Sequence, residues 1–242
     1  RRVFARYYEC FAACMEAADR ELGRVIAALE RQGILRDTLI LLLSDNGASP
    51  EGGPEGIWNE MRLFAANKPG VLAGGAARLD QLGGPLTYPT YPLGWTQAGN
   101  TPFRKTKGSA HEGGVRVPLI AHWPARITDA GGVRGQFHHV VDVLPTILEA
   151  AQLTAPAEFA GRTQLPLAGV SLAYTWSREN AAAPTRRAAQ YFEIHGHRAI
   201  WEKGWKAVTS HDSGQPYASD TWELYHLDAD PTERRDLARE NP

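Results

Sequence analysis

The sequence predicts an α/β domain, a sheet flanked by helices, followed by a small antiparallel sheet. Three observations carry that expectation. The first thirty or so residues repeat apolar side chains at helical spacing. Two short apolar runs, 38–43 and about 117–122, do not alternate with polar residues, as strands buried on both faces would not. Near the C-terminus, "AQYFEI", "HRAIWE", "WKAVTS" and "WELYHL" are aromatic or β-branched runs separated by Gly, Asp and Ser.

From about Phe4 to Gln32, Tyr8, Phe11, Met15, Ala18, Leu22, Val25 and Leu29 step by three and four. This predicts a long amphipathic helix with one buried face, ended by Gly33 as a left-handed cap. The run 38–43 then stops abruptly at Ser44-Asp45-Asn46-Gly47. From Gly47 to about Gly99 the chain is rich in Gly, Pro and Tyr, which predicts a long loop with a short helix near 76–82. Trp58, Tyr88, Tyr91 and Trp95 suit an ordered covering rather than a linker. "VRVPLIAHWP" predicts the second strand, and "HHVVDVLPTILEAAQL" a helix with Asp142 as its N-cap. A Pro- and Ala-rich linker is expected over 154–184, and a charged segment, "DPTERRDLARE", closes the chain. Two parallel strands cannot cover both faces of an α/β sheet. The expectation is therefore the later part of a larger domain (1–153), with a linker and small C-terminal α+β subdomain (154–242).

Composition excludes some classes. The 242 residues carry a formal net charge of −1, which gives no support for a nucleic-acid partner. No apolar run approaches the roughly 18 to 20 residues of a membrane helix. Cys10 and Cys14 lie four apart on the first helix, without a second pair to complete a zinc site.

Two stretches could carry chemistry. Asp45 and Asn46 fall at the carboxyl end of a strand, where open α/β sheets bind ligands. A carboxylate and an amide carbonyl are hard oxygen donors that suit Ca²⁺ or Mg²⁺. A plain strand-end turn accounts for the same residues. In "NTPFRKTKGSAHEGGVRVPLI", Arg104, Lys105 and Lys107 cluster ahead of His111-Glu112-Gly113-Gly114. That grouping suits an anion site or a solvated loop. His138 and His139 read as a helix entrance, and His195 and His197 as hairpin residues. Trp201, Trp205 and Trp222 read as small-sheet core.

Taken together, "LLLSDNGAS", "EGG", "GWTQAGNTPFRKTKGSAHEGGVRVPLIAHWP" and "VVDVLPTILEAA" resemble the later half of a sulfatase, in the arylsulfatase branch of the alkaline-phosphatase-like superfamily. "HRAIWEKGWKAV" and "WELYHLDADPTERRDLA" resemble that family's small C-terminal sheet and closing helix. The resemblance runs from about Tyr7 to Ala238. It implies hydrolysis of sulfate esters, on small molecules or glycans, with a divalent cation, usually Ca²⁺ with Mg²⁺ as the alternative. It makes Asp45 and Asn46 metal ligands and Lys107, not Lys105, the catalytic and substrate-binding cation. His111 is carried over as a candidate substrate-binding residue without a catalytic role. A periplasmic or extracellular location is also implied.

The departures are specific. The family's nucleophile is a formylglycine made from Cys or Ser within Cys/Ser-x-Pro-x-Arg. Neither Cys10 nor Cys14 has that context, and no Ser has it. The nucleophile and the earlier paired Asp ligands are thus expected upstream, and the 242 residues alone are expected to be inactive. A phosphonate or phosphodiester hydrolase of the same superfamily, or a non-catalytic fragment, are the competing readings.

Overall fold

Residues 1–61 and 75–241 are described by the computed structural model of this protein. Part of the expected 47–99 loop therefore lies outside the described residues. Helix α1 spans Arg2–Arg31, and Gly33 beyond it adopts φ +71°, the left-handed geometry that lets a helix stop without a Cβ clash. Only Tyr7 is fully buried along α1, against Trp58 and Leu82. Tyr8 stacks on Trp95 at 4.2 Å, and the Trp95 indole donates to Phe4 O at 2.8 Å. The described parts of the Gly- and Tyr-rich loop thus cover the N-terminal half of α1, with the short helix as a 3-10 turn at Gly75–Gln81.

Further along the apolar stripe Leu22 and Leu29 are half-buried, and other members are left exposed by the described residues. Met15 is 54% exposed and Val25 56%. The expected buried face is a correctly patterned face without a partner layer among the described residues.

The strand expectation is corrected in the same sense. β1 (Ile40–Leu43) and β2 (Leu119–His122) pair with each other and run antiparallel, with Leu42 opposite Ile120. Both of these side chains are exposed. Their apolar runs are built for two covered faces, and among the described residues the sheet has two strands.

α2 (Leu93–Asn100) and the four-residue α3 (Glu112–Val115) flank the cationic stretch. α4 covers Val143–Ala150, shorter than expected, because a 3-10 turn at Val140–Asp142 precedes it. Asp142 stands at the N-cap position of α4 as expected, but its side chain makes no capping hydrogen bond to that helix. Its carboxylate instead accepts from the amides of His139 (2.9 Å) and Val170 (2.7 Å) and pairs with Arg187 and His138. The expected linker carries a two-stranded ladder, β3 (Glu158–Phe159) with β4 (Arg162–Thr163), and 3-10 turns at Ala173–Trp176 and Arg178–Asn180.

The C-terminal sheet is an antiparallel meander of β5 (Ala189–Ile194), β6 (His197–Glu202), β7 (Trp205–Thr209) and β8 (Trp222–His226). His195 and Gly196, both at positive φ, make the expected hairpin turn. The inner face buries Ala199, Trp201, Val208 and Tyr225 with Ala110, and Trp201 stacks on Phe137 at 4.0 Å. Trp205 and Trp222 lie on the exposed side, contrary to expectation. The closing segment 231–241 is a series of turns rather than a helix, held by the Asp230 carboxylate on the amides of Arg234 and Arg235 and by Asp236 on that of Leu224.

Candidate active site

The apolar run ends where β1 stops pairing. Ser44 Oγ donates to Asn46 O at 3.0 Å and Asn46 Nδ2 to Gly47 O at 2.9 Å, closing a tight turn. Neither the Asp45 carboxylate nor Asn46 Oδ1 accepts a hydrogen bond from another described residue. Two hard oxygen donors on consecutive residues are therefore without a partner among the described residues, and they fit part of a Ca²⁺ or Mg²⁺ shell. Among the described residues no group of three or more His, Cys, Asp or Glu could complete it.

Backbone contact locks this turn to the second motif. The Gly47 amide donates to Gly114 O at 3.0 Å, and a Cβ on Gly47 would meet Gly113 O at 1.8 Å. A Cβ on Gly113 would meet Arg104 O at 2.1 Å, and one on Gly114 would meet Ser109 O at 2.0 Å. Only glycine lets the backbones approach so closely. Asn100, at the end of α2, bridges the same parts. Its Nδ2 donates to Lys105 O and Gly113 O, each at 2.7 Å, and its Oδ1 accepts from Ala48 N at 3.1 Å.

Lys107 is held by its own amide, which donates to Ala48 O at 3.0 Å. Its ammonium pairs with Glu51 at 2.6 Å. The hydrogen bond to Glu51, with the charges of Asp45 and Glu60, holds the Lys107 pKa above its ordinary value, so the group is a permanent cation. Both side chains of the pair are more than a third exposed. Such a pair contributes about 0 to 1 kcal/mol, so an anionic ligand can displace Glu51 at little cost.

The cationic stretch is not one patch. Lys105 is exposed, whereas Arg104 leaves the turn and donates to Glu223 (3.0 Å), Tyr225 and Glu233 O (2.9 Å). His111 goes the same way. It is 1% exposed, with Nδ1 at 3.1 Å from Ser109 Oγ and Nε2 at 3.5 Å from Glu223. Burial lowers its pKa to about 4, against the pull of Glu223, so the ring is neutral near pH 7. His111 packs in the seam with the C-terminal sheet, beside Glu223.

Sequence reasoning missed Glu51, Asn100, and the buried charges Glu112, Lys206 and Glu233. Lys206 was open to detection. It alternates with Val208 along β7, which places it on the inward face.

The sulfatase family profile matches residues 2–153, and the profile described as N-sulphoglucosamine sulphohydrolase, C-terminal, matches residues 105–242. An uncharacterized sulfatase of Schizosaccharomyces pombe is 33% identical over 242 residues, covering 98% of this chain and 41% of the relative. An arylsulfatase of Klebsiella aerogenes is 25% identical over 197 residues, covering 81% of this chain and 39% of the relative. The chain thus spans about two fifths of these relatives' length. Among solved structures, a protein of a glycosaminoglycan-metabolising locus of Bacteroides thetaiotaomicron superposes with TM-score 0.56 at 19% identity, covering 93% of this chain and 40% of that one. A phosphonate monoester hydrolase of Agrobacterium radiobacter superposes with TM-score 0.50 at 18% identity, covering 92% and 35%. These likenesses show the alkaline-phosphatase-like fold, here as two small α/β strands with their helices and a C-terminal antiparallel sheet. By its sequence profile and its relatives, the chain is a member of the sulfatase family.

Proposed function

We propose that this chain contributes the later part of a sulfate ester hydrolase centre, in which Lys107 binds the sulfate group and Asp45 and Asn46 are ligands of a divalent cation, Ca²⁺ by preference. The observation that supports this most is one backbone lattice. It holds the permanent cation of Lys107 and the two free oxygen donors on a common frame of Gly47, Ala48, Gly113 and Gly114.

A sulfate monoester carries one negative charge, and S–O cleavage builds more on the bridging oxygen. An oxygen nucleophile adds at sulfur and the alcohol leaves, so charge must be stabilised where it develops. Lys107 exchanges Glu51 for the sulfate and orients it, with its ammonium available to the bridging oxygen. Asp45 and Asn46 hold the cation, whose role when bound is to neutralise sulfate charge. The nucleophile, expected as formylglycine, is supplied from outside these residues, because none of them has its sequence context. A small-molecule or glycan sulfate ester is the substrate class. An extracytoplasmic location accompanies the reading.

The phosphonate reading shares the donor set and is separated by kinetics. The full natural chain, assayed with Ca²⁺ on an aryl sulfate and on an aryl phosphonate monoester, is expected to show the higher kcat/KM on the sulfate. A preference for the phosphonate ester would replace the sulfatase reading.

A further inference from the structure

We propose that Lys206 and Glu233 are positioning residues for the candidate sulfate and cation site, acting through Glu112 on the Gly113–Gly114 turn. The inference rests on the function proposed above and adds a control element beyond Asp45, Asn46 and Lys107.

Lys206 lies on the inner face of β7 and is 1% exposed. Its ammonium sits 2.7 Å from Glu112 Oε1 and 3.1 Å from Glu233 Oε1. The second Glu233 oxygen accepts the Glu112 backbone amide at 2.9 Å. Glu233 is itself fully buried and held at φ +55°, an uncommon geometry for a residue with a side chain. Its carbonyl accepts from Arg104. Two buried charges, Lys206 and Glu233, thus grip Glu112, the first residue of α3, by both side chain and backbone.

From Glu112 the path to the site is short. Gly113 donates to Arg104 O at 2.9 Å, and Gly114 O accepts from Gly47, next to Asn46. Asn100 ties Gly113 to Ala48, and Ala48 O accepts the Lys107 amide. The glycine contacts leave no room for slack, so a shift of Glu112 is passed on rather than absorbed. Apolar residues can replace buried ion pairs at no loss of stability. What they cannot reproduce is this directional hold.

The test uses the full natural chain, with Lys206→Met, Lys206→Arg and Glu233→Gln. Asp142→Asn serves as a control that breaks a remote buried ion pair. Rates are corrected to the folded fraction, and Ca²⁺ affinity is read by calorimetry. Lys206→Met and Glu233→Gln are expected to lower kcat about 10- to 100-fold, as a misplacement near 1 Å does, and to weaken Ca²⁺ binding several-fold. Lys206→Arg is expected to restore part of both, and Asp142→Asn to change neither. In a Lys107→Ala background the further loss from Lys206→Met is expected to shrink. Unchanged kcat and Ca²⁺ affinity in folded Glu233→Gln and Lys206→Met, or equal losses in Asp142→Asn, would overturn the positioning role. A wild-type chain that neither turns over an aryl sulfate nor binds Ca²⁺ removes the underlying functional reading, and the positioning role with it.

Discussion

The Gly47 amide donates to the Gly114 carbonyl at 3.0 Å, joining the turn after β1 to the short helix α3 ahead of β2. These two glycines are far apart in sequence, yet their contact decides where Asp45, Asn46 and Lys107 stand. Gly47→Ala would press a Cβ into Gly113 O at 1.8 Å. The expected cost is about 1 to 3 kcal/mol of stability, measured by denaturant unfolding. The same variant is expected to weaken Ca²⁺ binding. A protein as stable as wild type would show that the two turns do not constrain each other.

Asp45→Ala removes the charged member of the free oxygen pair. Calorimetry on the full natural chain is expected to show Ca²⁺ affinity reduced at least tenfold, with folding intact, because Asp45 is exposed and makes no hydrogen bond to described residues. Unchanged affinity would place the cation elsewhere.

His111 gives a pH dependence of known sign. Its pKa falls from the ordinary 6.5 to about 4 on folding. The unfolded chain takes up this proton below 6.5 and the folded chain only near 4. The associated stability is therefore complete above about pH 6.5 and is lost as pH falls toward 4. Between pH 7 and pH 5 the loss is about 2 kcal/mol. Glu233, whose pKa burial raises, acts in the opposite sense, losing stability as pH rises through its ordinary 4.5. Comparison with His111→Gln isolates the histidine, and wild type is expected to show the steeper decline. Parallel declines would contradict the burial of a neutral ring.

Asp142 is the hub between the α4 entrance and the C-terminal part, and its hydrogen bonds to His138, Arg187 and two amides hold its carboxyl well below the usual range. Asp142→Asn leaves the buried Arg187 cation without its partner. A loss of about 3 to 5 kcal/mol is expected in denaturant unfolding at pH 7. A loss below 1 kcal/mol would mean that Arg187 finds another acceptor.

The local elements were legible because their signals are local. Helical spacing marked α1, apolar runs marked β1 and β2, and aromatic alternation marked the C-terminal meander. The Asp45-Asn46-Gly47 turn at the strand end was legible for the same reason. What covers each element is a property of packing, which periodicity does not report. Met15 and Ile120 are patterned for burial and stand exposed. The antiparallel β1–β2 register follows from the Gly47–Gly114 contact, which no apolar run encodes. Arg104 and Lys107 look alike three residues apart, yet one serves the C-terminal seam and the other the candidate site. Only the positions of Glu223 and Glu51 separate them.

The most direct test of the central claim is kcat/KM for an aryl sulfate in the full natural chain, wild type against Lys107→Ala, with Ca²⁺ present. Loss of the ammonium is expected to lower kcat/KM by about 100-fold or more while the protein stays folded, since Lys107 contributes only an exposed ion pair to the fold. Equal kcat/KM in the two proteins would show that Lys107 does not stabilise the reacting sulfate.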